Sequence, residues 1–158
     1  MDFKFESLPD RKLINGSAYL MDFGAMSSQE DAAIAEGKLL SAFGKPTSNR
    51  KSYENSLEYI IHATAENGES VILSVYSVGV IHIGAHQSDD FTKEAAYALI
   101  QYVNSFAPAD YSRTVYYRDF DMKIDIQVEN GKVTITKSEI EKKNLIESLR
   151  EWFLGRRK

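Results

Sequence analysis

The most regular alternation of hydrophobic and polar residues surrounds two Asn-Gly dipeptides. Asn67-Gly68 and Asn130-Gly131 are each flanked by runs rich in β-branched and aromatic residues, which is the strongest short-range signal of a β-hairpin. A two-residue loop at the second dipeptide places Val128 opposite Val133 and the polar residues of both strands on the other side. The pattern therefore predicts a hairpin with one buried and one solvated face.

The residues around the first dipeptide are hydrophobic on both sides of the predicted strands. A two-residue loop pairs Tyr59 with Tyr76 on one face and His62 with Leu73 on the other. Because both faces carry apolar residues, this hairpin is expected at the centre of a sheet and partly covered on both sides. Short apolar runs predict three further strands, at residues 18–23, 80–84 and 113–117.

Apolar residues that recur every three or four positions predict helices. The first helix is expected to open with the capping box Ser27-x-x-Glu30 and to stop at Gly44. The second is expected to open at Asp89-Asp90, whose carboxylates suit the positive end of a helix, and to stop before Pro108.

A third helix is predicted from the capping box Ser138-x-x-Glu141 to Gly155. Its hydrophobic face, which is expected to be buried, comprises Leu145, Ile146, Leu149, Trp152 and Phe153. Strands and helices then alternate as strand, helix, three strands, helix, three strands, helix. This order predicts that residues 1–158 form a single α+β domain, with a mainly antiparallel sheet of about five to seven strands and three helices.

Composition narrows the possible classes of protein. The 158 residues include no cysteine, which excludes disulfides and thiolate sites and fits a cytoplasmic location. No signal peptide is expected, and the uncharged stretch 70–88 is interpreted as buried strands, so no membrane partner is expected. The net charge is −4 and the basic cluster 156–158 is interpreted as a solvated tail that complements a helix dipole. Nucleic acid is therefore not expected as a partner.

Two histidines four residues apart are candidates for a metal site. His82 and His86 would share a face on a helix, but the surrounding residues predict a strand, in which four residues span about 13 Å. Both imidazoles could bind one ion only if Gly84 bends the chain and Asp89 or Asp90 supplies a further ligand. The alternative, two strand-end histidines without a chemical role, is favoured, so no bound metal or cofactor is expected.

Acidic residues at alternate positions of one predicted strand could bind magnesium, although the same spacing is typical of the solvent-facing side of any strand. Three tyrosines precede that strand, and tyrosine provides rigid contact area with a hydroxyl group that protein interfaces favour. One of the two adjacent tyrosines must point inward and the other outward. The candidate partner-binding residues are therefore Tyr111, Tyr116, Tyr117, Asp119, Asp121 and Asp125.

Six short segments follow one another within residues 29–136: Phe43-Gly44-Lys45-Pro46, Tyr59-Ile60-Ile61, Asn67-Gly68, Leu73-Ser74-Val75-Tyr76, His82-Ile83-Gly84 and Pro108-Ala109-Asp110-Tyr111. This order resembles that of small cytosolic immunity proteins of bacterial polymorphic and contact-dependent toxin systems. The resemblance implies a compact acidic domain that binds a toxin and occludes its active site. It implies no particular functional residue, because such families diverge at the surfaces that bind toxins.

The sequence therefore predicts a protein-binding module, with a basic toxin as the expected partner, rather than an enzyme. It contains no Gly-x-Ser-x-Gly elbow, P-loop or dinucleotide fingerprint. Two alternatives stay open. One is a regulator that binds a small ligand in a pocket between sheet and helices, and the other is a metal-assisted hydrolase that uses His82, His86 and Asp90. The oligomeric state is open as well.

Overall fold

A computed structural model describes residues 1–9, 18–24, 27–46, 57–77, 80–117, 121–140 and 142–155, with the backbone alone for 142–148. Within these residues the chain forms eight strands and three helices. In chain order they are β1 (Phe3–Ser7), β2 (Ala18–Asp22), α1 (Gln29–Phe43), β3 (Leu57–Ala65), β4 (Ser70–Ser77), β5 (Ile81–Ala85), α2 (Asp90–Asn104), β6 (Tyr111–Tyr117), β7 (Met122–Glu129), β8 (Lys132–Glu139) and α3 (Lys142–Gly155).

The strands form two antiparallel sheets. The large sheet has the strand order β1-β3-β4-β5-β2, and the small sheet has the order β6-β7-β8. The predicted fold class, a single α+β domain with antiparallel strands and three helices, is confirmed. The sequence predicts one sheet of five to seven strands, whereas the structure adds β1 and divides the strands between two sheets. Alternation along a strand shows which residues share a face, but not which sheet the strand joins.

The loop of the first hairpin has one residue more than predicted. The Ala65 N–H donates to the Glu69 carbonyl at 2.8 Å, and the Gly68 N–H donates to the Ala65 carbonyl at 3.0 Å. Three residues, 66–68, therefore connect β3 to β4. Gly68 takes a φ of 88°, while Asn67 keeps a negative φ and its side chain accepts a hydrogen bond from the Glu69 N–H. This geometry is that of a three-residue hairpin with glycine in the left-handed region.

The longer loop changes every cross-strand pair of this hairpin. Tyr59 lies opposite Val75 and Tyr76 lies opposite Glu58, so the predicted pairing of Tyr59 with Tyr76 is wrong by one residue. The corrected register aligns hydrophobic residues with one another on the face that packs against the helices. The other face of the hairpin then carries a larger share of polar side chains.

The register predicted for the second hairpin is confirmed. Val128 lies opposite Val133, and Glu129 lies opposite Lys132. The loop consists of the dipeptide Asn130-Gly131, with φ values of 51° and 76°. Both central residues are in the left-handed region, as a two-residue type I′ turn requires. The same dipeptide therefore supports two different turns in one chain.

Helices α1 and α2 begin and end close to the predicted residues. Ser28 caps α1, one residue later than predicted, and its hydroxyl accepts a hydrogen bond from the Asp31 N–H at 3.2 Å. The Asp31 carboxylate in turn accepts hydrogen bonds from the backbone N–H and hydroxyl of Ser27, and these bonds lower the pKa of the Asp31 carboxyl. Gly44 ends α1 with a φ of 71°, and Asp89 caps α2, both as predicted.

Helix α3 starts later than predicted. Ser138 lies in β8, because that strand continues to Glu139, and α3 begins at Lys142. The prediction that Leu149, Trp152 and Phe153 are buried is wrong, since their exposed fractions are 50%, 51% and 64%. The side chains of the other two residues of that predicted face, at positions 145 and 146, lie outside the described part of the structure.

The hydrophobic core lies between the large sheet and helices α1 and α2. Odd-numbered residues of β3, β4 and β5 point into this core. At the edge of the sheet, Phe3 and Phe5 contact Phe91 and Tyr102 of α2, with ring centroids 5.6 and 5.2 Å apart. Helix α1 also packs against β7 and β8 of the small sheet. Each sheet therefore has an inner face toward the helices and an outer face away from them.

Candidate functional site

The outer face of the small sheet brings together two of the six predicted partner-binding residues. Tyr116 of β6 and Asp125 of β7 share this face, because the register aligns Tyr116 with Lys123 and Asp125 with Thr114. The side chain of Tyr116 is 46% exposed. The outer face of the small sheet consists of Ser112, Thr114, Tyr116, Lys123, Asp125, Gln127, Thr134, Thr136 and Ser138.

A shallow depression of about 360 Å³ lies on this face, lined mainly by hydroxyl and amide side chains. Asp125 supplies an acidic side chain to the lining. One oxygen of its carboxylate accepts a hydrogen bond from the Thr114 hydroxyl at 2.6 Å, and the other lies 3.8 Å from the Lys123 ammonium nitrogen. A carboxylate has about four acceptor positions, so Asp125 is held in place and can still accept hydrogen bonds from a partner.

The remaining predicted residues are not on this face. Tyr111 and Tyr117 share the inner face with Val115, since alternate residues of a strand point the same way. The hydrophobic Val115 was the signal in the sequence that could have assigned these two tyrosines inward. Asp121 precedes β7 in the turn, where it is exposed and has a φ of 47°. Asp119 lies outside the described residues.

A buried carboxylate connects the small sheet to α1 and to the large sheet. Glu36 of α1 is 2% exposed. It accepts hydrogen bonds from the Ser77 hydroxyl of β4 at 2.6 Å and from the Tyr111 hydroxyl of β6 at 2.8 Å. The Arg113 guanidinium forms an ion pair with it at 2.6 Å. Glutamate is almost never fully buried unless it is paired, so these contacts stabilise its charge and fix the small sheet on α1.

Two tyrosines beside this network have raised pKa values. Burial raises the pKa of the Tyr111 hydroxyl, and the negative charge of Glu36 adds to the effect. The same two causes raise the pKa of Tyr59, whose hydroxyl donates to the Gly44 carbonyl at 2.7 Å. Both hydroxyls therefore remain protonated hydrogen-bond donors at neutral pH, which is a structural role.

A second polar group lies on the outer face of the large sheet, which sequence reasoning missed. Glu58, Tyr76, His82 and Asp22 form one row across four adjacent strands. The His82 Nδ1 lies 2.9 Å from the Asp22 carboxylate. The imidazole also contacts the rings of Tyr76 and Tyr19, each with centroids 5.4 Å from its own. His82 thus has an acidic partner, which the sequence pattern did not indicate.

A β-bulge explains why the row was missed. The register of β2 against β5 shifts between Tyr19 and Met21. The extra residue brings both Tyr19 and Asp22 to the outer face, although strict alternation would place them on opposite faces. The pairing of Asp22 with His82 therefore depends on an irregularity that the alternation of residues does not indicate.

The short contact with Asp22 orients the ring of His82. A carboxylate at Nδ1 holds the imidazole in a fixed orientation. Loss of hydration, together with the negative charge of Asp22, raises the pKa of the neighbouring Tyr19 hydroxyl. General-base catalysis would in addition require a hydroxyl or water near the other ring nitrogen. Within the described residues, the hydrogen bond of His82 is made with Asp22, and the row forms a polar cluster on the sheet.

Within the described residues, neither of the two alternative sites is seen fully formed. His86 follows β5 as an exposed residue and Asp90 begins α2. Among the described residues, there is no group of three or more histidine, aspartate or glutamate side chains that could hold a metal ion. A crevice between α1 and the small sheet has a volume of about 30 Å³. That is roughly the volume of one water molecule, whereas sites for small ligands have about 300–1,000 Å³.

None of the described helices is long and apolar enough to cross a membrane. The chain was also compared with protein-family models, with curated proteins and with solved structures, and no significant match was found in any of the three.

Proposed function

We propose that the chain is a protein-binding domain that engages its partner through the outer face of the small sheet. The observation that carries the proposal is the exposed Tyr116 on a flat face of hydroxyl and amide side chains, next to the oriented carboxylate of Asp125. A tyrosine ring offers rigid apolar area with a hydroxyl at its tip, and such residues contribute most of the binding energy of many interfaces.

The attachment of the small sheet supports this role. The ion pair of Glu36 and Arg113 and the hydrogen bond from Tyr111 fix β6 to α1 from the inner side. The outer side of the same strand therefore presents Tyr116 in a defined position before a partner arrives. A preorganised contact surface loses less conformational entropy on binding than a mobile one.

The distribution of charge favours a basic partner. The last seventeen residues, 142–158, contain six basic and two acidic side chains, a net charge of +4, which leaves −8 on the rest of the chain. The negative charge of residues 1–141 attracts a cationic protein over several ångströms and accelerates the encounter of the two proteins. In this proposal the partner is a basic toxin whose active site the domain occludes in the cytosol, as the resemblance to immunity proteins implies.

Photo-crosslinking tests the assignment of the face. Tyr116 is replaced by p-benzoylphenylalanine in the full chain, which is then irradiated in an extract of the source organism. Tyr97 of α2, which is 62% exposed, receives the same replacement as a matched control. We expect an adduct with one protein from position 116 and none from position 97. Equal adducts from both positions, or an adduct from position 97 alone, would contradict the proposal.

Kinetics with the captured protein then separate the two contributions. Tyr116→Ala should raise the dissociation rate about thirtyfold, which corresponds to about 2 kcal/mol for a hot-spot residue. Asp125→Lys should mainly slow association, and more so at low salt. Tyr97→Ala should change neither rate. If the captured protein is the toxin, an equimolar amount of the wild-type domain should abolish its activity, and the Tyr116→Ala variant should do so only at higher concentration.

A further inference from the structure

Helix α3 presents large hydrophobic side chains to solvent. Leu149, Trp152, Phe153 and Leu154 are between 50% and 64% exposed. Within the described residues, α3 makes no extensive contact with any other helix or strand. Exposed hydrophobic side chains mark a site of interaction with a protein or a membrane where they form one contiguous surface.

The residues of α3 are arranged as an amphipathic helix with a basic flank. At about 100° per residue, Leu149, Trp152 and Phe153 share one face. Arg150 falls at the border of that face, and Glu151 falls on the opposite side. A helix lying on an anionic surface requires this order, with apolar residues inserted, basic residues at the level of the anionic groups and acidic residues in water.

The charge of the segment is opposite to that of the remaining chain. Residues 142–158 carry +4, whereas the others carry −8. This charge argues against a symmetric pairing of α3 with α3 of a second copy, because such a contact brings two segments of +4 together. It complements an anionic surface, to which each nearby lysine or arginine contributes favourably.

We propose that α3 binds the surface of an anionic lipid bilayer and lies in its interface. The helix of 14 residues is about 21 Å long at 1.5 Å per residue, shorter than the hydrocarbon core of about 30 Å. It therefore lies on the surface and does not cross. This binding departs from the expectation that no membrane is among the partners, which rested on the lack of a spanning segment. The amphipathic ring of Trp152 favours the level of the lipid headgroups, and Phe153 belongs to the apolar face that enters the acyl boundary.

Trp152 allows a direct test, because it is the one tryptophan of the chain. The fluorescence of the full-length protein is measured as vesicles are added, either of phosphatidylcholine alone or with about one third phosphatidylglycerol. We expect the emission of Trp152 to shift to shorter wavelength with the anionic vesicles and much less with the neutral ones. Added sodium chloride should reverse the shift, since it screens the attraction between charges at the surface.

Variants on and off the helix locate the binding site. Phe153→Ser should weaken partitioning into the bilayer roughly 10- to 100-fold, because it removes an aromatic side chain that would be buried among the lipids. Arg150→Gln should weaken it about fivefold, the contribution of one basic residue near an anionic surface. Lys93→Gln, at an exposed position of α2, removes the same charge elsewhere and should leave partitioning unchanged. Circular dichroism checks that each variant is folded.

Several results would overturn the assignment. One is the lack of any shift with anionic vesicles, and another is an equal shift with neutral vesicles. If the emission shifts with protein concentration in the absence of lipid, and analytical ultracentrifugation shows a dimer, then α3 binds a second copy of the chain instead. An equal shift on addition of polyglutamate would assign it to an acidic protein. Equal losses for Lys93→Gln and Arg150→Gln would show that α3 is not the site.

Discussion

The buried carboxylate of Glu36 permits a quantitative test of how the two sheets are held together. The change Glu36→Gln keeps the size of the side chain and its ability to accept hydrogen bonds, but it removes the negative charge. Arg113, with a side chain that is 17% exposed, then loses its ion pair with Glu36. Removing one member of a buried ion pair costs about 3–5 kcal/mol, because the remaining charge is left in a poorly hydrated place. We take the lower end, about 3 kcal/mol, since Arg113 retains some contact with water.

The double variant Glu36→Gln, Arg113→Met should be much less affected. Replacing both members of a buried pair with neutral side chains of similar volume is often close to neutral. The structure therefore predicts that the double variant is about 2 kcal/mol more stable than Glu36→Gln alone. The losses of the two single variants are then far from additive, as expected of residues in contact. The control pair is Lys123→Gln and Asp125→Asn on the outer face, whose charges are 3.8 Å apart and about 40% exposed. Their coupling should stay below about 1 kcal/mol.

Urea denaturation followed by circular dichroism measures these free energies of unfolding. A loss of about 3 kcal/mol also corresponds to roughly 6–12 °C in melting temperature for a domain of this size. If the losses of Glu36→Gln and Arg113→Met simply add in the double variant, the two charges do not stabilise each other. The account of Glu36 as the connection between the sheets would then be refuted.

Two further predictions concern α1 and the buried tyrosines. Gly37→Ala should destabilise the domain by about 1 kcal/mol or more in urea denaturation, because overpacking outweighs the better helix propensity of alanine. The new Cβ would lie only 2.9 Å from the Cβ of Pro108. Lys38→Ala on the same helix should be nearly neutral. Alkaline pH should also destabilise the domain: the unfolded chain releases its tyrosine protons near pH 10, while the raised pKa values of Tyr59 and Tyr111 retain them in the folded state. The contribution of these tyrosines to stability is therefore fully present below about pH 10. Above that pH the free energy of unfolding falls by up to about 1.4 kcal/mol per pH unit for each tyrosine. Tyr111→Phe should reduce that slope, and an unchanged slope would contradict the raised pKa.

The two hairpins show which parts of the fold could be predicted from the sequence. At Asn130-Gly131, alternation in both strands agrees with a two-residue turn, and the structure has that register. At Asn67-Gly68, apolar residues on both sides of the strands gave no such agreement, and the predicted two-residue register was wrong by one residue. The longer loop contains a hydrogen bond from the Glu69 N–H to the side chain of Asn67, which alternation does not indicate.

The residues of the candidate site were predicted only in part, because alternation along a strand shows which side chains share a face but not which charged side chains become buried. Alternation is sufficient to place Tyr116 and Asp125 on one face, and Val115 could have excluded Tyr111 and Tyr117 from it. Glu36 could not be identified as buried, because a glutamate in an amphipathic helix is normally assigned to the solvated side. Its burial depends on donors from β4 and β6, which are distant in the sequence.

The exposure of the hydrophobic face of α3 could not be predicted from the sequence. The spacing of its hydrophobic residues correctly predicts a helix with one apolar face, but it does not show what covers that face. The sequence therefore favoured burial in the core, whereas the structure leaves Leu149, Trp152 and Phe153 substantially exposed. Amphipathic patterns are shared by helices that pack inside a domain and helices that bind an external surface.

The strand order of the large sheet has a consequence for association between chains. Strands β3, β4 and β5 follow one another in sequence, and β3 is buried along most of its length. Without β1, the backbone of this hydrophobic strand would form the open edge of the sheet, a template on which another chain could add and begin aggregation. Strand β1 covers residues 61–65 of that edge and replaces this part with a strand that carries Lys4 and Glu6 on its outer side. Charged residues on an edge oppose such pairing, so a short amino-terminal strand protects the largely buried strand β3 from self-association.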